Sequence, residues 1–326
     1  MTCPPFRPHP LVRGGNLQTI IAALSSRNQT MDAQEVLRVP LEGKDQLVVE
    51  INLPERAMAN TPMVLLFPGP GESGDVGYVI RLAAKLVTRG FRVGRVNHRG
   101  CYDKEDQATR HMFHAGRAAD IEAAITACAG RFPGAPLLLI GYSMAGSMIL
   151  RLLGSRPDLG TRLPALQRAA VVCPPLDFEV CSKAIGRRGS RYLDRYYVRH
   201  MSRLAGTEGT TTARQFDARY SAPEAGFADR QSFYRGVSPG PVVDRIRLPV
   251  LVLAAADDPA NPIGSVLRAP FSDQVTLQVE HSGGHLGFLS RHKTRFGDYR
   301  WLDEFLVDWV EENPPAPPEA GTALRG

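Results

Sequence analysis

Leu137-Leu138-Leu139-Ile140-Gly141-Tyr142-Ser143-Met144-Ala145-Gly146-Ser147-Met148-Ile149-Leu150 is the stretch on which the reading of this chain turns. An apolar run ends abruptly in small residues and a second apolar pattern starts at once. That predicts a buried strand, a sharp turn and a helix, with Ser143 at the apex. Such a turn strains the serine backbone and exposes its hydroxyl at the sheet edge. Small flanking residues are needed where strand and helix backbones nearly touch, and Gly141 and Ala145 are read into those positions. A serine hydroxyl is a poor nucleophile near neutral pH, so the chain must also supply a base and an acid to orient it.

Working outward, short apolar strands alternate with helical segments. Glu35 to Pro40 and Gln46 to Leu53 read as a hairpin of half-exposed strands. Met63 to Phe67, Phe91 to Val96, Ala169 to Cys173, Leu248 to Leu253 and Val275 to Val279 read as further strands. Val79 to Leu86, His114 to Cys128 and the Trp301, Leu302, Phe305, Leu306, Trp309 face read as helices. Prolines and glycines between Phe6 and Ala23 exclude a long helix at the start. The pattern predicts an α/β fold with a mainly parallel sheet covered on both faces. The rhythm breaks from 174 to 240, which reads as a cap inserted into a core of 1–173 and 241–313; 314–326 reads as a Pro-rich, disordered tail.

Asp258 follows one buried strand and His285 the next, both at carboxyl ends, the edge where open α/β sheets place their sites. The order Ser143, Asp258, His285 is that of nucleophile, acid and base in α/β hydrolases. Asp257 competes with Asp258 but reads as a loop or capping carboxylate. His281 and His98 compete with His285 and read as structural histidines. No histidine spacing suits a metal site, and no cofactor is required.

The 326 residues are 43% hydrophobic and 22% charged, an ordinary globular balance. The net charge of +6 comes almost wholly from arginine, with only five lysines, and no compact Lys/Arg cluster argues for nucleic acid. Arg187, Arg191, Arg195, Arg199 and Arg203 recur every four residues, but steps of four drift by ~40° on a helix, so the row winds around it. A solvated helix is the plain reading, and a surface attracting anionic substrates or membrane is the other. Five cysteines without paired spacing argue against a disulfide framework. Neither a signal peptide nor a run of ~20 apolar residues is present. A soluble, cytoplasmic protein without stable membrane insertion is expected, its oligomeric state left open.

The chain resembles the YheT-like branch of the α/β hydrolases. The matching strings are Asn16-Leu17-Gln18-Thr19, Arg99-Gly100-Cys101, Gly141-Tyr142-Ser143, Phe216-Asp217 with Ala222-Pro223 and Gly226-Phe227, Asp257-Asp258-Pro259, and Gly283-Gly284-His285-Leu286-Gly287-Phe288. The resemblance implies a carboxylic-ester hydrolase with Ser143, Asp258 and His285 as triad, acting on a small ester of short or medium acyl chain. It also implies an oxyanion hole using the Met144 N–H. Its second donor would follow the glycine of Pro68-Gly69-Pro70, where proline has no N–H, so Gly71 is expected to supply it. A catalytically impaired binding protein, or a lipid-directed acyltransferase or phospholipase, is the alternative.

Overall fold

The computed structural model describes residues 3–25, 29–102, 104 and 110–312, so the expected tail at 314–326 lies outside the described residues. Eight strands form one sheet: β1 (Glu35–Pro40), β2 (Gln46–Asn52), β3 (Met63–Phe67), β4 (Arg92–Asn97), β5 (Leu137–Tyr142), β6 (Leu166–Val172), β7 (Val250–Ala255) and β8 (Val275–Glu280). Their order is β1-β2-β4-β3-β5-β6-β7-β8. Only β2 runs against its neighbours; the pairings from β4 to β8 are all parallel. β3, β5 and β7 are buried at every residue, which is why they are unbroken apolar runs rather than alternating ones. The edge strands β1 and β8 keep exposed positions.

The helices are α1 (Gly15–Leu24), α2 (Gly77–Thr88), α3 (Ala118–Arg131), α4 (Met144–Ser155), α5 (Leu159–Arg162), α6 (Phe178–Ile185), α7 (Arg191–Ala205), α8 (Ala213–Phe216), α9 (Ala222–Glu224), α10 (Arg230–Val237), α11 (Ile263–Leu267) and α12 (Trp301–Glu311). Two apolar clusters lie on opposite faces of the sheet. One packs α3 and α4 against Leu65, Leu139, Val171 and Val252. The other packs α2 and α12 against Val64, Leu138, Ile140 and Leu253. Among the described residues, no helix is long and apolar enough to cross a membrane.

Two local readings are corrected. β2 is buried along almost its whole length, because Leu47, Val49 and Ile51 pack in the apolar cluster with α3 on one face and the side chains of Arg95 and Asn97 bond Asn52 and Glu50 on the other. Its Glu50, which reads as a solvent position in an alternating strand, is a buried acceptor for Lys104 and Asn97. A ten-residue helix, α1, does form near the start. The glycine that reads as a breaker stands at its boundary: Gly14 is the N-cap at φ 81°, and the segment that follows holds neither proline nor charge.

Between β6 and β7 the chain is helical from α6 to α10, with a π-helical turn at Asp217–Ser221. Asp217 centres this region. Its carboxylate accepts from Tyr197, Tyr234 and Ser221 at 2.7–2.8 Å, and burial pushes its carboxyl above the usual carboxylate value. Arg191, Arg195, Arg199 and Arg203 are all exposed, while Asp194, Val198 and Met201 form the buried side of α7. Arg191, Arg195 and Arg199 line a cleft of about 480 Å³ with Thr210, Thr211 and Thr212. All five cysteines are free.

Candidate active site

The turn between β5 and α4 holds Ser143 at φ 52°, ψ −122°, a backbone region that side-chain-bearing residues rarely adopt. Its N–H is tied to the Val172 carbonyl at 2.9 Å. A Cβ on Gly141 would fall 3.0 Å from the Gly146 backbone and 2.5 Å from Ile149 Cδ1. The close approach therefore falls on Gly146, not on Ala145; Ala145 lies fully buried in the apolar cluster beneath. A one-residue step turns a helix by ~100°, so which small residue faces the strand depends on how the helix leaves the turn.

Although Ser143 is the N-cap of α4, its side chain makes no capping bond. Its Oγ instead lies 2.9 Å from His285 Nε2, and His285 Nδ1 lies 2.9 Å from Asp258 Oδ2. Asp258 Oδ1 accepts the N–H groups of Ala260 at 2.7 Å and Asn261 at 3.1 Å. With one oxygen held by the backbone, the other is aimed at the imidazole. The carboxylate fixes the proton on Nδ1, which leaves Nε2 as acceptor for the serine proton. The three predicted residues thus form one hydrogen-bonded chain.

The competitors are elsewhere. Asp257 accepts from Gly284 N at 2.8 Å and Ser282 Oγ at 2.9 Å, so it ties the His285 loop together. His281, read as a bonded structural histidine, is exposed; it follows an edge strand, where solvent replaces a protein partner. His98 is buried, with Nε2 3.2 Å from the Pro68 carbonyl. Burial lowers its pKa to about 4, so the ring is neutral and donates to that carbonyl. Cys173 places a thiol within 4.8 Å of ligand atoms on Asp258 and His285. Burial pushes this thiol well above its ordinary value, so it stays protonated, and the other two groups already engage each other. The set fits a proton relay better than a metal centre.

The two N–H groups that the sequence reading assigns to the oxyanion are those of Met144 and Gly71. That of Met144 is the first of α4, unpaired by helix geometry and at the positive end of the helix. That of Gly71 has no acceptor among the described residues. Gly71 has φ +70°, and a Cβ there would fall 2.9 Å from His200 Cβ of α7. The loop around it is held by Glu72, whose carboxylate accepts from Gly69 N at 3.1 Å and from the hydroxyls of Tyr78 and Tyr196. Burial and Glu72 raise the Tyr78 phenol well above its usual value, which keeps it a donor. Gly74 N donates to Asn97 Oδ1 at 2.7 Å and closes the loop against β4.

Sequence reasoning assigned no role to Gln18, Thr19, Glu72 or Tyr196, all of which brace these loops. The local signal was the polar Asn16, Gln18 and Thr19 inside an otherwise apolar, uncharged helix.

A family model described as "Alpha/beta hydrolase family" matches residues 64–298. The presumed esterase YheT of Escherichia coli (strain K12) is 30% identical over 76% of this chain and 76% of its own. Phospholipase ABHD3 of Mus musculus is 28% identical over 77% of this chain and 64% of its own. Medium-chain fatty acid ethyl ester synthase/esterase 2 of Saccharomyces cerevisiae is 24% identical over 83% of this chain and 67% of its own. Among solved structures, 2,6-dihydroxy-pseudo-oxynicotine hydrolase superposes with a TM-score of 0.59 at 15% identity, covering 93% of this chain and 74% of that one.

Proposed function

We propose, from the premise that the chain belongs to the alpha/beta hydrolase family, that it is a serine hydrolase cleaving carboxylic esters of short to medium acyl chains. The observation that supports this most is the chain of two 2.9 Å contacts from Ser143 through His285 to Asp258. In the proposed reaction His285 Nε2 takes the Ser143 proton as Oγ attacks the acyl carbon, and Asp258 stabilises the imidazolium. The negative charge on the tetrahedral oxygen is met by the N–H groups of Met144 and Gly71. His285 gives its proton to the leaving alkoxide, and the alcohol departs. Water, deprotonated by His285, then resolves the acyl-enzyme. These steps need no cofactor. The helices from 174 to 240 are read as the cap that shapes the acyl pocket.

Supporting the Gly71 assignment, its positive φ is open to glycine and closed to most other residues. Pro70 cannot donate, so this conformation gives the loop an N–H one position later.

The test is a panel of p-nitrophenyl esters of increasing chain length, run on wild type and Ser143→Ala. Turnover that vanishes in Ser143→Ala supports the reading, and the chain-length optimum reports pocket depth. Turnover that survives in Ser143→Ala, or none in wild type on any ester, rejects it. A structure with a phosphonate on Ser143 tests the oxyanion hole. A phosphonyl oxygen within about 2.7–3.1 Å of both nitrogens supports the Gly71 assignment, and contact with Met144 alone points to an impaired enzyme.

A further inference from the structure

We propose that α1 belongs to the catalytic apparatus, with Thr19 and Gln18 acting as positioning residues for His285; the proposal rests on the serine-hydrolase reading above. The loop that carries the base is strained. Between 283 and 288, Gly283 (φ 144°), Gly284 (φ 61°), Leu286 (φ 64°) and Phe288 (φ 43°) all have positive φ. For the two non-glycine residues this conformation is costly, and it persists only where the surroundings over-determine it. β8, the strand feeding the loop, is an edge strand and gives little support.

The support comes from α1. Thr19 Oγ1 accepts the backbone N–H of His285 itself at 2.8 Å. The same hydroxyl donates to the Gly15 carbonyl at 2.7 Å, so its lone pairs are directed at His285. Gln18 reads the backbone of Leu289 from both sides: Oε1 accepts its N–H at 2.7 Å and Nε2 donates to its carbonyl at 3.2 Å. Nε2 also donates to the Val12 carbonyl at 2.9 Å. These polar side chains are 0% and 7% exposed for Gln18 and Thr19, burial that glutamine seldom shows without fully used hydrogen bonds.

The backbones also interlock. A Cβ on Gly284 would fall 2.2 Å from the Gly15 carbonyl oxygen, and one on Gly287 2.7 Å from Gln18 backbone atoms. A Cβ on Gly15 would fall 1.8 Å from the Asp257 carbonyl oxygen. One helix therefore touches both the base loop and the acid loop, and fixes the residue whose ring must stay aligned between Ser143 and Asp258. Misplacing a reacting group by about 1 Å can cost ~10²-fold in rate.

Thr19→Val keeps the side-chain shape and removes the acceptor, and Thr19→Ser restores it. Two quantities are read: kcat on the best p-nitrophenyl ester, and the rate at which a fluorophosphonate labels Ser143. Both are expected to fall together by about 10–100-fold in Thr19→Val and to recover in Thr19→Ser. KM should stay within about 2-fold, since the lost interaction serves the transition state. Gln18→Met, which keeps reach but loses the amide, should fall in the same direction and serves if Thr19→Val does not fold. Wild-type labelling and kcat in both Thr19→Val and Gln18→Met overturn the proposal and leave the hydrolase reading standing. So does a loss that appears in KM alone, or one that Thr19→Ser does not restore. Wild type that neither takes the probe nor turns over ester overturns both readings.

Discussion

The loop carrying His285 is clamped by buried groups of α1, whereas the loop from Pro68 to Gly74 is clamped partly by a helix of the excursion between β6 and β7. On the first side the contacts are Thr19 to His285 N and Gln18 to Leu289, with neither side chain more than 7% exposed. On the second side, Glu72 is gripped by half-buried Tyr78 from α2 and by Tyr196 of α7, which is 41% exposed. The same α7 face reaches both sides, since Tyr192 donates to Asn16 Oδ1 of α1 at 3.0 Å. The contrast separates two requirements of the proposed chemistry. The contacts to the His285 loop itself come from buried groups of α1, with α7 touching α1 only at its outer side, while the loop that holds Gly71 is braced directly by α7.

The comparison has meaning only if Ser143 is the atom that both loops serve. Ser143→Ala or His285→Ala is expected to lower kcat by about 10⁶, with either change alone nearly as severe as both together. Additive losses in the double variant would show that the two do not act as a unit. On the His285 side, Asp258→Asn should lower kcat by about 10⁴ through loss of the correct tautomer. Asp257→Asn should lower it far less, because it loosens the loop without touching the imidazole. The reverse ranking in steady-state kinetics would mean that the acid loop is misread.

On the other side, Glu72→Gln combined with Tyr196→Phe should cost up to about 10²–10³ in kcat, the range for one missing oxyanion donor. Substitution at Tyr196 alone, being at the cap's edge, should act less. If fluorophosphonate labelling of the double variant matches wild type, the claimed link between cap and oxyanion loop is wrong. The smallest effect concerns pH. His98 is kept neutral by burial with its pKa lowered to about 4, and His114 likewise to about 3. The unfolded chain, with histidines near 6.5, binds more protons in that window. Stability is therefore full above about pH 6.5 and falls as pH drops towards 4, by on the order of 3 kcal/mol for His98. Urea unfolding at pH 7.5 and 5 should show this slope in wild type and a shallower one in His98→Phe. Equal slopes would remove His98 as the loop's acid-sensitive pin.

The parts of this architecture that were legible in the sequence are those whose cause is local. The unbroken apolar runs of β3, β5 and β7 announce burial on both faces, and the small residues around Ser143 announce a turn. Asp258 and His285 could be placed because each follows such a strand. What escaped depends on distant partners. Glu50 looks like a solvent-facing residue until Lys104 and Asn97 are brought over it. α1 looks like a broken segment until the His285 loop provides its other half. The pairing of Gly141 with Gly146 rather than Ala145 depends on helix phase, which spacing alone does not set.

Gln18 meets a partner 271 residues further along the chain. At a synthesis rate of about 5–20 residues per second, that separation takes on the order of 14–54 s on the ribosome. A ten-residue helix is marginal by itself in water, so α1 is expected to stay unformed, with Gln18, Thr19 and Ala22, buried in the folded protein, still uncovered until the His285 loop has emerged. Assembly of the base would then be among the last events in the life of the nascent polypeptide, and a half-made chain would carry a serine with nothing to activate it. A fluorophosphonate pulse during cell-free synthesis should accordingly label released full-length protein and leave stalled chains dark.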